Sequence, residues 1–357
     1  MNPLAVLRAV YRKRQYWKWL IRDEYRNPYR PGWGERWRAW RHGFLSRNYR
    51  WFGLDGRDAS DYLTDRARYL RTTDLNEPYT NVLDDKLVFH EVFRRHEGLM
   101  PETFALLRRG AVLPISSRVR VASLDDVLRL LAEKGRLVLK GTTGGGGARV
   151  GVLQRAEPGG SFLLDGAPVD AESLRRRLAA LREHLVMEFV DSAAYARAIF
   201  PGSSNTLRIL TVWEAETGEA FASHAIHRFG TSRSRGVDNF ARGGVAAWID
   251  LETGAMGPVV GVDSGGRPTY SPFHPETGAR VEGVVVPRWS EATGRMLALA
   301  REHSYVPYVG WDLVISDDGI RLFEGNSFTG YEVFQLQRPF LSHPRLRRYL
   351  QRRGVIP

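Results

Sequence analysis

RLVLKGTTGGGGARVGV, residues 136–152, carries Lys140 on a predicted β-strand into a loop of four consecutive glycines, and a second predicted strand leaves that loop. Because glycine has no Cβ atom, this backbone can adopt conformations closed to other residues. Its N–H groups can then converge on phosphate oxygens, and the lysine adds positive charge. The spacing matches neither GxxxxGK[ST] nor a GxGxxG motif that opens a helix. A flexible hairpin loop is the alternative, so partner residues elsewhere must decide the role of this segment.

Such partners occur near the other end of the chain, in GWDLVISDDGIRLFEGNS, residues 310–327. Two β-type runs flank an Asp-Asp-Gly turn, which predicts a hairpin with Asp312 early on one strand and Glu324 at the end of the other. Antiparallel pairing would bring the two carboxylates together, and Asn326 shares a side with Glu324 because strand residues two apart point the same way. Three hard oxygen ligands predict a magnesium site. For any one of these residues alone, a solvated surface position is the alternative.

The order of motifs along the chain resembles that of a known superfamily. From about Asp84 to Ser342 there follow a lysine-delivering strand, a glycine-rich loop, a Glu-Phe-Val segment, a Thr-Leu-Arg strand, an Asn-x-x-x-Gly-Gly loop and the Asp…Glu-x-Asn hairpin. This combination resembles the ATP-grasp superfamily, most of all the sugar-transfer-associated ATP-grasp proteins. The resemblance implies an α+β protein with the ATP-grasp fold, in which two α+β subdomains clasp ATP. It also implies a ligase that activates a carboxylate as an acyl phosphate.

The resemblance further implies a role in ATP binding for each matching residue. Lys140 corresponds to the lysine that holds the α and β phosphates, and Lys86 to an earlier family lysine that approaches the nucleotide. For Lys86, an ordinary surface lysine on a helix is the alternative. The lid over the phosphates corresponds to Gly144, Gly145, Gly146 and Gly147. The hinge that meets the adenine edge corresponds to Glu188, Phe189 and Val190, with Asp191 as the candidate for the ribose.

Two arginines are candidates for stabilising the charge that develops during phosphoryl transfer. Arg208 lies on a predicted strand, on the face shared by Thr206 and Leu210, and a guanidinium can span two phosphate or carboxylate oxygens. A structural ion pair at a strand edge is the alternative. Arg242 lies in the loop 238–244, which in related proteins closes over the reacting groups. A mobile surface loop with solvated arginines is the alternative there.

Two histidines in the same region are interpreted mainly as packing residues. His224 and His227 are three apart, which suits neither zinc spacing on a helix nor a shared face on a strand. We therefore predict a structural role for His224. His227 precedes a basic loop, so contact with substrate is the alternative to packing for that residue.

Length and composition indicate a multidomain protein without thiol chemistry. The 357 residues exceed the usual size of one domain, and 43% apolar content suffices for cores in two or more lobes. The absence of cysteine excludes disulfides, thiolate metal sites and a cysteine nucleophile. We find neither an apolar run of transmembrane length nor a secretion signal. These features predict a cytoplasmic protein, with attachment to the inner face of the membrane as a further option.

The chain divides into four predicted regions. They are a basic, aromatic-rich helical N-terminal region at 1–80, a small ATP-grasp lobe with the glycine-rich loop at 81–190, a large lobe with the magnesium site at 191–342 and a basic C-terminal helix at 343–357. Within them we predict helices from Ala59 to Arg71 and from Asp84 to His96.

The net charge of +12 is concentrated at the N-terminal end. Residues 1–50 contain thirteen Lys and Arg residues against three acidic ones, interleaved with five tryptophans. A cationic, aromatic-rich segment suits an acidic or lipid-linked glycan, an anionic membrane surface or a nucleic acid, and the composition does not choose among them. Nucleic acid ranks last because no known binding module is visible. Packing of the aromatic residues onto the rest of the protein, with solvated arginines, is the alternative.

These features together predict a magnesium- and ATP-dependent carboxylate–amine ligase in polysaccharide or sugar-conjugate biosynthesis. The expected cofactors are ATP and Mg²⁺, and the expected partners are a small-molecule or sugar-linked carboxylate and an amine. The residues themselves indicate phosphate and metal binding, whereas the resemblance supplies the reaction type. Two alternatives stay open: an ATP-dependent kinase of a sugar or small molecule, and a non-catalytic scaffold that binds nucleotide and glycan.

Overall fold

The structure is a computed structural model that describes residues 3–25, 29–96, 98–144, 149–156, 161–234 and 236–357. Its N-terminal part is helical. The helices are α1 (Pro3–Tyr25), α2 (Trp33–Arg41), α3 (Ser46–Trp51), α4 (Asp65–Leu70), α5 (Asn81–Asp84) and α6 (Lys86–Phe93), with a 3₁₀ turn at Thr72–Asp74. The N-cap of helix α4 is Thr64, whose side chain accepts a hydrogen bond from the backbone N–H of Ala67. Buried Asp65 then ties this helix to the chain around it, accepting from Leu45 and Asn48.

The first sheet has seven antiparallel strands in the order β2-β1-β7-β3-β4-β5-β6. They are β1 (Thr103–Arg108), β2 (Ala111–Pro114), β3 (Arg136–Gly141), β4 (Val150–Arg155), β5 (Phe162–Leu164), β6 (Ala167–Val169) and β7 (Arg182–Glu188). Helices α7 (Leu124–Lys134) and α8 (Ala171–Ala180) share its hydrophobic core. Ser123 caps α7 through the backbone of Asp126, at 3.1 Å. Val127 and Leu131, one helical turn apart, bury the face of α7 that meets this core.

The second sheet also has seven antiparallel strands, in the order β12-β11-β10-β9-β8-β13-β14. They are β8 (Leu207–Glu214), β9 (Glu219–Phe229), β10 (Val245–Ile249), β11 (Met256–Val262), β12 (Pro268–Ser271), β13 (Tyr308–Ser316) and β14 (Gly319–Asn326). The helices of this part are α9 (Ala194–Ile199), α10 (Trp289–Glu302), α11 (Tyr331–Gln337) and α12 (Pro344–Arg352), and 3₁₀ turns lie at Ser232–Ser234, Phe240–Arg242 and Phe340–Ser342.

This second sheet is covered on both faces, as the alternation along β8 demonstrates. Leu207 and Ile209 lie in a core that also contains α10, while Leu210 and Val212 lie in a core that contains α12. Residues adjacent on a strand point to opposite faces, so both faces of β8 are apolar. The N-terminal helices and α11 complete the second covering layer, and one part of it includes Phe44 and Leu54 packed with β10 and β11.

Two predicted helices differ from the structure in their boundaries. The predicted helix from Asp84 to His96 is interrupted at Asp85, whose side chain accepts hydrogen bonds from the backbone of Leu87 and Val88 and so starts a new helix. The helix predicted from Ala59 to Arg71 is confined to Asp65–Leu70, because Thr64 is its N-cap.

The predicted lobe boundary at residue 81 stays a prediction, and the structure shows how the helices that follow it pack. Leu83 of α5 and Phe89 and Phe93 of α6 lie in the core of the second sheet, not in that of the first. Helix α6 thus packs with the second sheet through Phe89 and Phe93, while Leu87 packs against the first sheet and Lys86 reaches its loop. Among the described residues, no helix combines the length and the apolar character needed to cross a bilayer.

Candidate active site

The two sheets meet at a cluster of charged side chains. Lys140 lies on β3 of the first sheet and Glu324 on β14 of the second, and the lysine Nζ is 3.6 Å from the glutamate Oε2. Lys86, at the start of α6, places its Nζ 3.5 Å from the same oxygen. All three side chains are largely but not fully buried, with exposures between 13% and 20%. Residues that are distant in the sequence therefore form one cleft between the sheets.

Lys86 also holds the start of the glycine-rich loop. Its backbone N–H donates to the carbonyl of Thr142 at 2.7 Å, and its Nζ donates to the carbonyl of Gly144 at 2.8 Å. Gly144 has a φ of 97°, a left-handed conformation that favours glycine. The other predicted lid residues, Gly145, Gly146 and Gly147, lie outside the described residues.

The acidic hairpin has the predicted register. In the antiparallel ladder of β13 and β14, Asp312 pairs with Glu324 and Gly310 pairs with Asn326. A shift in register directly after Asp312 marks a bulge at this position. The predicted turn and pairing are thus confirmed, and the two carboxylates are direct cross-strand neighbours.

Asp312 is held by two arginines, one on the adjacent strand β8 and one on the next strand, β9. Arg208 of β8, its Cα partner, forms a bidentate pair with both carboxylate oxygens at 2.6 and 2.7 Å. Arg228 of β9 donates to Oδ2 at 3.0 Å. The sequence placed Arg208 at the site but did not identify Arg228, which the antiparallel pairing of β8 with β9 brings beside it.

Arg228 links the hairpin to the loop that follows β9. Its guanidinium lies 3.5 Å from Asp238 Oδ2 and donates to the Thr206 hydroxyl at 3.0 Å. The same Asp238 oxygen accepts from the backbone N–H of Thr206 at 2.6 Å. Asp238 thereby fixes the first residue of the predicted mobile loop onto β8. A buried arginine with carboxylates on both sides could have been inferred from sequence only if the strand pairing had been known.

The electrostatic environment keeps both hairpin carboxyl groups ionised. Burial raises the pKa of Asp312, but Arg208 and Arg228 outweigh burial, and the net pKa lies below its ordinary value. Burial and the charge of Asp312 raise the pKa of Glu324, whereas Lys140 and Lys86 lower it, and again the net shift is downward. Both side chains are therefore anions at neutral pH.

The free oxygens of the hairpin match what a magnesium ion requires. Asp312 uses three of its four lone-pair positions on arginines. The Glu324 carboxylate has ion-pair contacts with Lys86 at 3.5 Å and with Lys140 at 3.6 Å. Within the described parts of the chain, no donor forms a hydrogen bond with it. Asn326 donates its Nδ2 to Gly310 at 3.2 Å, so its amide oxygen remains available. A hard cation could thus be held mainly by Glu324 and Asn326, with one oxygen from Asp312.

The predicted adenine hinge lies where the chain leaves the first sheet. Glu188 ends β7, and its Oε2 accepts from the backbone of Glu102 at 3.0 Å. The Phe189 ring lies 4.2 Å from the guanidinium carbon of Arg136, which also forms an ion pair with the exposed Asp191. Val190 is buried. These contacts position the segment, and its role in nucleotide binding stays a prediction.

Two further predicted residues lie apart from the charged cluster. Arg242 ends the 3₁₀ turn Phe240–Arg242 and is exposed, and no contact with the hairpin carboxylates is formed in the described structure. His227 is fully buried, its Nε2 lies 2.8 Å from the Tyr195 hydroxyl, and burial lowers its pKa to about 3. A neutral, enclosed imidazole agrees with the packing role. His224 is likewise neutral, because burial lowers its pKa to about 3.

Comparison with solved structures finds similar folds at low sequence identity. D-alanyl-alanine synthetase A from Vibrio cholerae O1 biovar eltor is 10% identical with a TM-score of 0.41, over 74% of this chain and 62% of that chain. An ADP complex of N5-carboxyaminoimidazole ribonucleotide synthetase is 13% identical with a TM-score of 0.41, over 74% and 51%. The ATP-grasp ligase PsnB with its minimal precursor is 14% identical with a TM-score of 0.37, over 72% and 56%.

The chain thus spans roughly half to three fifths of the length of these solved structures. No curated protein matches it. The model of the sugar-transfer-associated ATP-grasp family matches residues 65–348, which include both sheets and the charged cluster between them. The chain belongs to the sugar-transfer-associated ATP-grasp family.

Proposed function

We propose that this protein is a magnesium- and ATP-dependent carboxylate–amine ligase that acts in polysaccharide or sugar-conjugate biosynthesis. The observation that carries the proposal is the meeting of Lys140 and Lys86 with Glu324 between the two sheets. A cleft with two lysines on one side and a carboxylate hairpin on the other suits a polyphosphate and its cation. Membership of an ATP-grasp family supports the same nucleotide.

The charges of the cluster fit this ligand. Four cations, Lys86, Lys140, Arg208 and Arg228, face three carboxylates, Asp238, Asp312 and Glu324. In our proposal the two lysines bind phosphate oxygens together with the glycine-rich loop, and the hinge at 188–190 receives the adenine. Glu324, Asn326 and Asp312 would hold magnesium, which would supply positive charge to neutralise the phosphates.

The reaction we propose has two steps. A carboxylate oxygen of the first substrate attacks the γ phosphorus as the bond to the bridging oxygen breaks, which yields an acyl phosphate and ADP. The amine nitrogen then attacks the acyl carbon, inorganic phosphate leaves, and the amine loses a proton to solvent. Arg208 is held by Asp312 beside the transferring group, where a fixed guanidinium stabilises charge without reorganisation. Arg242 would join when the loop 238–244 approaches the cleft.

The sugar-related role rests on the family description, sugar-transfer associated. We propose substrates among uronic acids, amino sugars and amino acids, because these supply carboxylates and amines to sugar conjugates. A kinase would instead transfer the γ phosphate to a hydroxyl. Both reactions release ADP, so ADP formation by itself does not separate them.

Hydroxylamine provides the separating test. Purified protein is incubated with Mg-ATP and pools of uronic acids and amino acids, and hydroxamates, free phosphate and phosphorylated sugars are measured by mass spectrometry. A ligase gives a hydroxamate from the carboxylate alone with hydroxylamine, and an amide plus free phosphate when the amine is added. A stable phosphorylated sugar without free phosphate would overturn the ligase in favour of a kinase. ATP binding without any turnover would favour the scaffold.

The matched control lies on the same hairpin. Asp318→Asn removes a carboxylate from the exposed turn between β13 and β14. It changes the charge of the hairpin as Glu324→Gln does, but away from the cleft. We expect Asp318→Asn to retain hydroxamate formation and Glu324→Gln to lose it.

A further inference from the structure

The large apolar side chains that remain exposed are concentrated in one short part of the chain. Of the fourteen such side chains among the described residues, eight lie between residues 10 and 40. They include five tryptophans, of which Trp33 and Trp37 are 75% and 61% exposed. Packing onto the lobes, one of the alternatives for this region, therefore does not account for these rings. An exposed apolar surface of this extent marks an interaction site.

Most of the exposed side chains follow one face of each helix, and Trp19, which is 39% exposed, lies off the stripe of α1. On α1, Val10, Trp17, Ile21 and Tyr25 are seven, four and four residues apart, and residues so spaced lie on one side of a helix. On α2, the exposed side chains Trp33, Trp37 and Trp40 are four and three apart. Such stripes normally pack against a protein core. Here both stripes face outward.

An arginine joins the two stripes into one surface. The guanidinium carbon of Arg36 lies 5.0 Å from the ring centre of Tyr25 at the end of α1 and 5.6 Å from that of Trp33 at the start of α2. Arg41 lies in the same way over Trp37, at 4.9 Å. Arg36 is itself only 14% exposed and lies 3.9 Å from Glu24, so it connects the stripes from the protein side, whereas Arg41 is exposed. We call the exposed residues of the two stripes, together with Arg41, the tryptophan face.

The acidic residues of this region are engaged in contacts within the protein. Glu24 is 5% exposed and accepts from the backbone and hydroxyl of Ser46 at 2.9 and 2.6 Å. Asp23 accepts from the Tyr69 hydroxyl at 2.5 Å, and Glu35 accepts from Tyr29. With all three acids of residues 1–50 engaged in this way, the positive charge of the segment is left on its outer side.

We infer that the tryptophan face binds the surface of a lipid bilayer that contains anionic phospholipids. Indole rings favour the boundary between headgroups and acyl chains, and arginines beside them can pair with lipid phosphates. Val10 and Ile21 gain from contact with acyl chains but gain little on a polar glycan. The helices lie on the membrane and do not cross it.

The inference is tested on the full chain with vesicles. Binding is measured by sedimentation with vesicles of phosphatidylcholine alone and of phosphatidylcholine mixed with phosphatidylglycerol, at low and high salt. The expected result is binding to the mixed vesicles, with tryptophan emission shifted to shorter wavelength. High salt should weaken the binding because the phosphates are screened. Equal binding to both vesicle types would overturn the role of anionic lipid.

Two sets of substitutions distinguish binding through the tryptophan face from non-specific hydrophobic binding. The variant Trp33→Ser/Trp37→Ser/Trp40→Ser is expected to lower vesicle affinity by on the order of tenfold or more, because three rings leave the interface. The control Leu113→Ser/Phe273→Ser removes exposed apolar side chains elsewhere and should leave vesicle affinity unchanged. Both variants should retain ATP binding, which verifies the fold.

Three outcomes of the vesicle experiments would overturn the inference. No sedimentation with either vesicle type would overturn the inference. So would a soluble anionic polysaccharide that binds the protein and displaces it completely from vesicles, with the tryptophan variant losing the polysaccharide equally. Loss of vesicle binding in both the tryptophan variant and the control would also overturn it, since binding would then be unspecific.

Discussion

Substitution of Glu324 by glutamine tests the central feature of the proposed site. The carboxylate lies within 3.6 Å of two lysine ammonium groups and pairs across the ladder with Asp312. Glutamine keeps the shape of the side chain but removes its charge. A bound magnesium ion would then lose an anionic ligand, while Lys86 and Lys140 would lose the counter-ion that holds them in the absence of nucleotide.

The two effects have opposite signs, and their size follows from the distances. Unit charges 4 Å apart interact with about 4 kcal/mol at an effective dielectric constant of about 20. Desolvation offsets much of this, and a charge-assisted contact contributes a net of about 1.5–3 kcal/mol, or roughly 10- to 150-fold in an equilibrium constant. We expect Glu324→Gln to weaken magnesium binding on this scale and to strengthen the binding of magnesium-free ATP.

Calorimetry with ATP in the presence of EDTA, and then with Mg-ATP, measures both effects. Turnover is followed as ADP release, with Asp318→Asn as the control for a lost carboxylate on the same hairpin. Turnover of Glu324→Gln at the wild-type rate under saturating Mg-ATP would contradict the metal assignment. Weaker binding of magnesium-free ATP would contradict the idea that Glu324 competes with phosphate for the lysines.

Four further outcomes are expected. Lys140→Ala should weaken ATP binding by on the order of tenfold or more, with and without magnesium, and should lower the rate of turnover. Lys134→Ala is the control. Unchanged ATP affinity in Lys140→Ala would contradict the assignment of the glycine-rich loop to the site. Asn326→Ala should abolish magnesium-dependent turnover while circular dichroism and thermal unfolding stay as in the wild type. Arg228→Met should lower the free energy of unfolding in urea by about 3–5 kcal/mol, because the carboxylates of Asp238 and Asp312 lose a buried partner. A change below roughly 1 kcal/mol, the value of a surface ion pair, would contradict this role of Arg228. Burial raises the pKa of Asp65 from 3.8 to about 6, so the folded protein keeps this proton to higher pH than the unfolded chain, and this group's contribution to stability falls as pH rises through that window. The Asp65→Asn variant lacks this loss of stability, which amounts to about 3 kcal/mol. In urea titrations, its stability relative to wild type should therefore rise between about pH 4 and pH 7. A constant difference in stability between the two proteins would contradict the raised pKa of Asp65.

The features that sequence predicted well are local ones. The hairpin at 310–327 follows from an Asp-Asp-Gly turn between alternating strands, and the turn fixes which residues face each other. The approach of Lys140 to Glu324 is different in kind, because no local rule links residues on two sheets. Only the order of motifs in a known family predicted it.

The features that sequence missed depend on strand order and on tertiary packing. Arg228 reaches Asp312 because β9 pairs with β8 and β8 with β13, an arrangement that no short segment encodes. The break at Asp85 has a local signal, since an aspartate before an apolar run is a good N-cap, but the continuous helical pattern around it favoured one helix. The exposure of Arg242 depends on how the loop 238–244 packs, and composition does not determine that.

Helix α6 explains how metal and nucleotide binding could be coupled. Phe89 and Phe93 pack with the second sheet, yet Lys86 at the start of the helix donates to the loop of the first sheet and lies beside the metal-ligand candidate Glu324. Under the ligase proposal, Glu324 would hold magnesium, which would neutralise its charge, and the two lysines would then be free for phosphate. Each ligand then raises the affinity for the other by the same factor, since linkage is reciprocal. The contact of Glu324 with the two lysines would thus be the one that is replaced when magnesium and nucleotide bind.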